Sequence, residues 1–212
     1  RRGLYVPVPL EARTPDVALE DPWVIAARVF APCYIGGWSA AEHWGLTEQI
    51  FRTIVLITTR TVNDRRPKIQ STEFWIKKTS KPRFFGTSIV WRGRIQVQVS
   101  DPTKTVVDLI DDPAIGGGAR MVENIFRAYL ASTKRDIEHL LDYAGRMGNG
   151  AIFKRLGYLV ERSGINESSA LSAIRERMTR GNAALDPALP SERLVTRWRL
   201  WVPEHWLANK RD

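Results

Sequence analysis

A switch of hydrophobic period within Val99–Ile110 constrains the fold of this chain more than any other feature of it. Before the switch, Ile95, Val97 and Val99 alternate with Gln96 and Gln98, the two-residue period of a strand with one buried face. After it, Val106, Val107, Leu109 and Ile110 recur at helical spacing, so a strand must give way to a helix within a few residues. Asp101 and Pro102 stand at the junction. An aspartate there can accept the orphan amide hydrogens of the first turn, and a proline presets φ without forfeiting a needed donor.

The same grammar organises the rest. Asp21 and Pro22 open a helix in which Trp23, Ala26, Ala27 and Phe30 recur until Pro32, and a second helix runs from Ser39 to Trp44 and stops at Gly45. Thr53–Thr58 is rich in β-branched residues and reads as a buried strand. In the basic region Thr59–Pro82, Phe74 and Ile76 alternate with Trp75 and Lys77 as in a partly exposed strand. Ser88–Trp91 and Arg94–Val99 flank Arg92-Gly93 as a hairpin.

Helices are expected near 102–111, 118–131, 134–147, 150–163 and 167–180, with Gly164 and Gly181 as carboxy-terminal caps and Asn166 as an amino-terminal cap. Beyond a linker near Pro187–Pro190, Thr196, Trp198, Leu200 and Val202 alternate with Arg197, Arg199 and Trp201, which predicts a returning strand that joins the sheet. Strands first and helices later define an α+β class: a mixed β-sheet flanked by helices, then a mostly helical carboxy-terminal half. The expected parts are an α/β part at 11–111, a helical part at 112–190 and a strand with its tail at 191–212.

Lys and Arg outnumber Asp and Glu by 32 to 23, a formal charge of +9, which favours an anionic partner such as nucleic acid or an acidic protein surface. The single cysteine, Cys33, leaves no intrachain disulfide and fits a reducing cytosol. With no apolar run of the roughly 20 residues needed to span a bilayer and no signal-peptide pattern, the expectation is a cytoplasmic protein without a membrane partner.

Several residues invite a chemical reading. His43 beside Glu42 suggests a general base or metal ligand, but neighbouring helix positions point about 100° apart, so a structural histidine is favoured. Cys33 shows no partnered base and reads as a small buried hydrophobe. Gly116-Gly117-Gly118 ahead of a helix could cradle phosphate, but no Lys and Ser/Thr pair follows, which favours a plain connection. Asp101, Lys104 and Asp108 could be drawn as a metal-dependent nuclease site; against that, Asp101 serves as a cap and Lys104 with Asp108 as a helix surface pair.

Two basic sets are candidate contacts to a DNA backbone. Arg60, Arg65, Arg66, Lys68, Lys77, Lys78, Lys81 and Arg83 lie on or between strands, interleaved with Phe74, Trp75, Phe84 and Phe85, a combination that can also bind single strands by stacking. Lys154 and Arg155 precede Leu156 on a helix and are assigned to its polar side.

Three segments, taken in order, resemble the AbiEi family, antitoxins of type IV abortive-infection toxin–antitoxin pairs that are also transcriptional repressors. Ser39, Ala40, His43, Gly45 and Leu46 match one pattern; Ser100, Asp101, Pro102, Lys104, Thr105 and Asp108 match a second; Lys154, Arg155, Leu156 and Gly157 match a third. The resemblance implies a winged helix-turn-helix ahead of the antitoxin domain, with residues 1–10 as the last wing strand, Arg1 and Arg2 as DNA contacts, and 11–212 as the antitoxin domain. It implies double-stranded DNA with operator inverted repeats as one partner and a nucleotidyltransferase-like toxin, opposed directly or indirectly, as the other, with no catalysis, cofactor or metal. Such toxins need a Gly-Ser motif followed by a close aspartate pair, and Gly86-Thr87-Ser88 is followed by none. The rival expectations are a metal-dependent DNA-processing nuclease and a plain DNA-binding regulator without a toxin.

Overall fold

The computed structural model describes residues 21–164 and 168–207, so Arg1, Arg2, the wing-like start and Asn166 lie outside the described residues. In chain order the elements are α1 (Pro22–Val29), β1 (Cys33–Ile35), α2 (Gly37–His43), β2 (Thr53–Thr58), β3 (Lys68–Ile69), β4 (Thr72–Lys78), β5 (Thr87–Arg92), β6 (Ile95–Ser100) and α3 (Pro102–Asp111). Then follow α4 (Ala119–Ala131), α5 (Ile137–Arg146), α6 (Gly150–Ser163), α7 (Ser168–Glu176), β7 (Ala183–Ala184), β8 (Arg193–Val195) and β9 (Leu200–Val202). The class is α+β.

Six strands form a mixed sheet in the order β3-β4-β2-β1-β6-β5. β2 runs parallel to β4 and β1 parallel to β6, while the outer pairs and β1–β2 are antiparallel. The period of two sorts its side chains between two cores. Ile35, Leu56, Phe74, Ile76, Val97 and Val99 pack with Trp23, Ile25, Ala26 and Val29 of α1. Tyr34, Val55 and Ile57 point the other way, into the core built with α3, α4, α5 and α6. Leu56 and Phe74 are fully enclosed, and burying a side chain of this kind stabilises by about 1.5–3 kcal/mol.

The helix at the period switch forms as its residues require: the Asp101 carboxylate accepts the Lys104 amide at 2.7 Å, and Pro102 occupies the first turn. Asp21 does the same for α1, accepting the Trp23 amide at 2.8 Å.

The chain departs from its sequence pattern in five places. The central strand β1 is three residues long and shows no alternation of its own; it is fixed by partners on both sides, β2 and β6. α2 starts at Gly37, two residues before Ser39, because its φ of +57° and the 2.5 Å that would separate an added Cβ from the Ile115 carbonyl admit only glycine. α5 starts at Ile137 behind an Asp136 cap, and α7 ends at Glu176, well short of Gly181.

The returning strand is the fifth departure. Thr196–Trp198 form a 3₁₀ turn, Arg199 takes a left-handed conformation, and β9 pairs with β7 and β8 in a separate three-stranded sheet instead of joining the large one. The cause is Trp198, whose ring lies where a Cβ on Gly157 of α6 would sit, and whose indole donates to Glu161 at 2.6 Å. That anchor turns the backbone away from extended geometry. No helix among the described residues is long and apolar enough to cross a membrane.

Candidate functional site

The motif residues of α3 converge inside the protein. Lys104 is fully enclosed and pairs with Asp108 one turn along; it also donates to the Tyr34 hydroxyl at 3.2 Å, and that hydroxyl donates to Asp108 Oδ2 at 2.9 Å. The triangle closes on itself. Burial, and then the Asp108 charge, hold the Tyr34 phenol well above its ordinary range. The expected surface pair is therefore corrected to a buried one, because α3 is packed against α2, α4, α5 and α6. Ser100 and Thr105 share a hydrogen bond of 2.7 Å, and Thr105 donates to the Asp101 carbonyl at 2.8 Å, which ties the end of β6 to the first turn of α3.

Asp101 is also engaged: beyond its cap it accepts the Tyr143 hydroxyl at 3.1 Å, and burial raises its carboxyl above the usual range. Each of the two carboxylates in the nuclease drawing thus has partners from the chain itself. Among the described residues no group of three His, Cys, Asp or Glu side chains could hold a metal ion.

His43 lies between the rings of Trp23 and Trp44, with centroids 5.2 and 4.6 Å away, and burial followed by the Arg92 charge lowers its pKa. Ser39 accepts the Val55 amide at 3.0 Å, Gly45 adopts φ +69°, and Leu46 is buried, so the first motif shapes the junction of α2 with β2. Cys33 donates to the Ala26 carbonyl, and burial pushes its thiol up to about 12. A protonated thiol of that kind is a poor nucleophile. At the glycine run, the first amide of α4, on Ala119, is taken by the Asp186 carboxylate at 2.9 Å, which occupies the position a phosphate would need.

The assignment of Lys154 and Arg155 to a polar helix face is overturned. α6 is enclosed all round over Ile152–Val160, since α3, α4, α7 and the small sheet each cover part of it. Arg155 donates to the carbonyls of Ile110, Asp111 and Ala184, and Lys154 to the Thr179 hydroxyl at 2.8 Å. Burial, then the Arg199 charge, hold the Lys154 ammonium below its ordinary range. Neither faces an outside ligand. Leu156 is fully buried and Gly157 leaves room for Trp198, so the third motif too is packing.

The other basic set divides. Because β2 and β4 are parallel, the segments that follow them leave the same end of the sheet, and Lys78 reaches Thr61 Oγ1 at 2.9 Å across that end. The segment then turns back along β4, with the Ile76 amide donating to the Arg65 carbonyl and the Phe74 amide to the Pro67 carbonyl, both at 2.9 Å. Arg60, Arg65, Arg66, Lys68 and Lys78 are exposed along this edge, and Lys81 is exposed on the 3₁₀ turn Lys81–Arg83. None of the six forms an ion pair among the described residues.

Lys77 is different: it pairs with Asp111 and Asp112 at 3.1 Å each, on the α3 side of the sheet. Arg83 is half-buried, and its charge helps hold Asp111 low. Both leave the candidate set.

The interleaved aromatics do not form a stacking platform. Phe74 is fully buried, Trp75 packs on Trp38 with the Arg66 guanidinium 3.7 Å above its ring, Phe84 packs on Tyr34 and Phe85 on Tyr143. Arg146, which the sequence pattern did not single out, sits 3.7 Å above Phe85.

The fold is that of an α+β domain whose mixed sheet carries one helix on one face and a helical body on the other. It is similar to the crystal structure of the RV2827C protein from Mycobacterium tuberculosis, with a TM-score of 0.59 and 16% identity over 86% of this chain and 68% of that one. No family model and no curated protein matches the chain.

Proposed function

We propose that this chain is a non-enzymatic, cytoplasmic antitoxin–repressor domain of the AbiEi type, which contacts the DNA backbone at operator inverted repeats and restrains a nucleotidyltransferase-like toxin. The observation that carries the DNA half is the gathering of Arg60, Arg65, Arg66, Lys68, Lys78 and Lys81 along one edge and end of the sheet, exposed and without carboxylate partners among the described residues. Clustered cations of that kind neutralise phosphates and release counterions, a mode that needs no base contact. The antitoxin half rests on the ordered motif trio, whose residues hold the scaffold together.

The test is a salt titration of duplex binding beside co-expression with the adjacent gene. The proposal expects affinity to fall steeply with salt, with the log–log slope reduced by about one unit for each contacting Arg or Lys replaced. A flat slope removes the DNA half, and failure to relieve a toxic neighbour removes the antitoxin half, leaving a plain regulator. Magnesium-dependent plasmid cleavage, lost in Asp101→Ala or Asp108→Ala, would replace the whole reading with the nuclease.

A further inference from the structure

Between the end of α1 and the segment 61–69 lies a cavity of about 420 Å³, lined chiefly by Val29, Phe30, Val62, Pro67 and Ile69. Small-molecule and side-chain sites have this character: a concave apolar lining with a few polar groups at hand. The lining's own polar residues are Thr61, Asn63 and Asp64, and exposed cations border them. Arg60 precedes the lining segment, Arg65, Arg66 and Lys68 interrupt it, and Lys78 joins it through Thr61. The one carboxylate of the lining, Asp64, has an oxygen on the Arg66 amide at 2.8 Å.

We propose that this slot takes an apolar side chain from an acidic segment of a partner protein, with the flanking carboxylates resting on Arg60, Arg65, Lys68 and Lys78. Complementarity of two kinds, apolar and electrostatic, meets at this one place. A duplex keeps its bases stacked and presents phosphates to such an edge, so it satisfies the cations and leaves the slot unfilled. An extruded base asks for hydrogen-bonding groups around its edge; the slot offers only Thr61, Asn63 and Asp64, and of these Thr61 already receives Lys78 and Asp64 the Arg66 amide. An apolar anchor between carboxylates satisfies both features. The inference goes beyond the DNA reading but draws on the same cations, so peptide and duplex exclude one another.

Fluorescence anisotropy on the full chain tests it with a labelled peptide, acetyl-Glu-Glu-Asp-Phe-Asp-Glu-Glu-amide, beside a sister with Ser for Phe, an oligothymidylate and a duplex. The Phe peptide is expected to bind and to compete with the duplex, and the Ser sister to bind about tenfold more weakly, the loss that follows when an apolar anchor is withdrawn from its site. Val62→Ser should reproduce that loss while leaving duplex affinity within about twofold. The Phe-to-Ser exchange reads the slot without altering the protein, so a Val62→Ser variant that fails to fold does not blunt the test. Equal binding of the two peptides, absence of peptide binding, or a Val62→Ser loss confined to the oligothymidylate would each overturn the proposal. Duplex binding that fails while the peptide pair separates as expected would sink the DNA reading alone.

Discussion

Lys104 and Lys68 carry the same charge on the same stem, yet one is enclosed on every side and the other stands in solvent on an edge strand. The first sits in a helix covered by four others and meets its charge in Asp108; the second lies exposed on the two-residue strand β3 at the edge of the sheet. Function is therefore sought where layers end. Charges inside the helical body fix how elements meet, and charges on the β3–β4 edge remain available to an outside anion.

The largest effect that could break this contrast is in the buried network. Lys104→Ala leaves Asp108 an uncompensated buried charge and is expected to cost about 3–5 kcal/mol, whereas Lys104→Met with Asp108→Leu should recover most of it. Denaturant titration of both variants decides. A single variant near wild-type stability would mean that the pair is solvated, and the distinction between the two regions would dissolve.

Next in size is Gly157→Val, which forces side-chain atoms into the Trp198 ring and should destabilise by about 1–3 kcal/mol. The same change paired with Trp198→Leu should be better tolerated than the sum of the two. Thermal unfolding measures that coupling, and simple additivity would argue against the contact.

On the exposed side the stability effects should nearly vanish. Arg65→Ala and Lys68→Ala are each expected to stay within about 0.5 kcal/mol of wild type while lowering the salt slope of duplex binding. A large loss of stability at either would move that residue into the buried class.

The smallest effect is a dependence on pH. In the folded state burial and Arg92 lower the His43 pKa below its ordinary 6.5, so the unfolded chain takes up the proton first. Its contribution to stability is present above that value and is lost as pH falls through the folded pKa. Comparing wild type with His43→Gln by chemical denaturation should show a shallower acid loss in the variant; identical profiles would mean that His43 titrates as in the unfolded chain.

Elements with a strong local signal could be read in advance. The cap at Asp101, the β-branched run of β2, the β5–β6 hairpin and the span of α6 all follow from residues within a turn or a strand of one another. β1 escaped because three residues carry no period, and the fate of Thr196–Pro203 depended on Trp198 meeting Gly157, a contact distant in sequence. The candidate site divided for a similar reason. Lys154 and Arg155 sit on a helix whose pattern suggests a polar face, and only packing from several directions reveals that no such face exists. Conversely, the edge cations could be named from the sequence, but their convergence needed the parallel pairing of β2 with β4, and the slot beside them had no local signature.

The central claim is that the β3–β4 edge, and not basicity at large, grips an anionic macromolecule. Duplex affinity against salt should be measured for wild type, for a variant with Arg60, Arg65, Lys68 and Lys78 each changed to Glu, and for a control with Arg120, Lys134, Arg177 and Arg180, all exposed and outside the six-stranded sheet, changed likewise. The account predicts that the edge variant loses binding and slope while the control keeps most of both. Equal losses in the two variants would show that net charge alone governs binding and would contradict it.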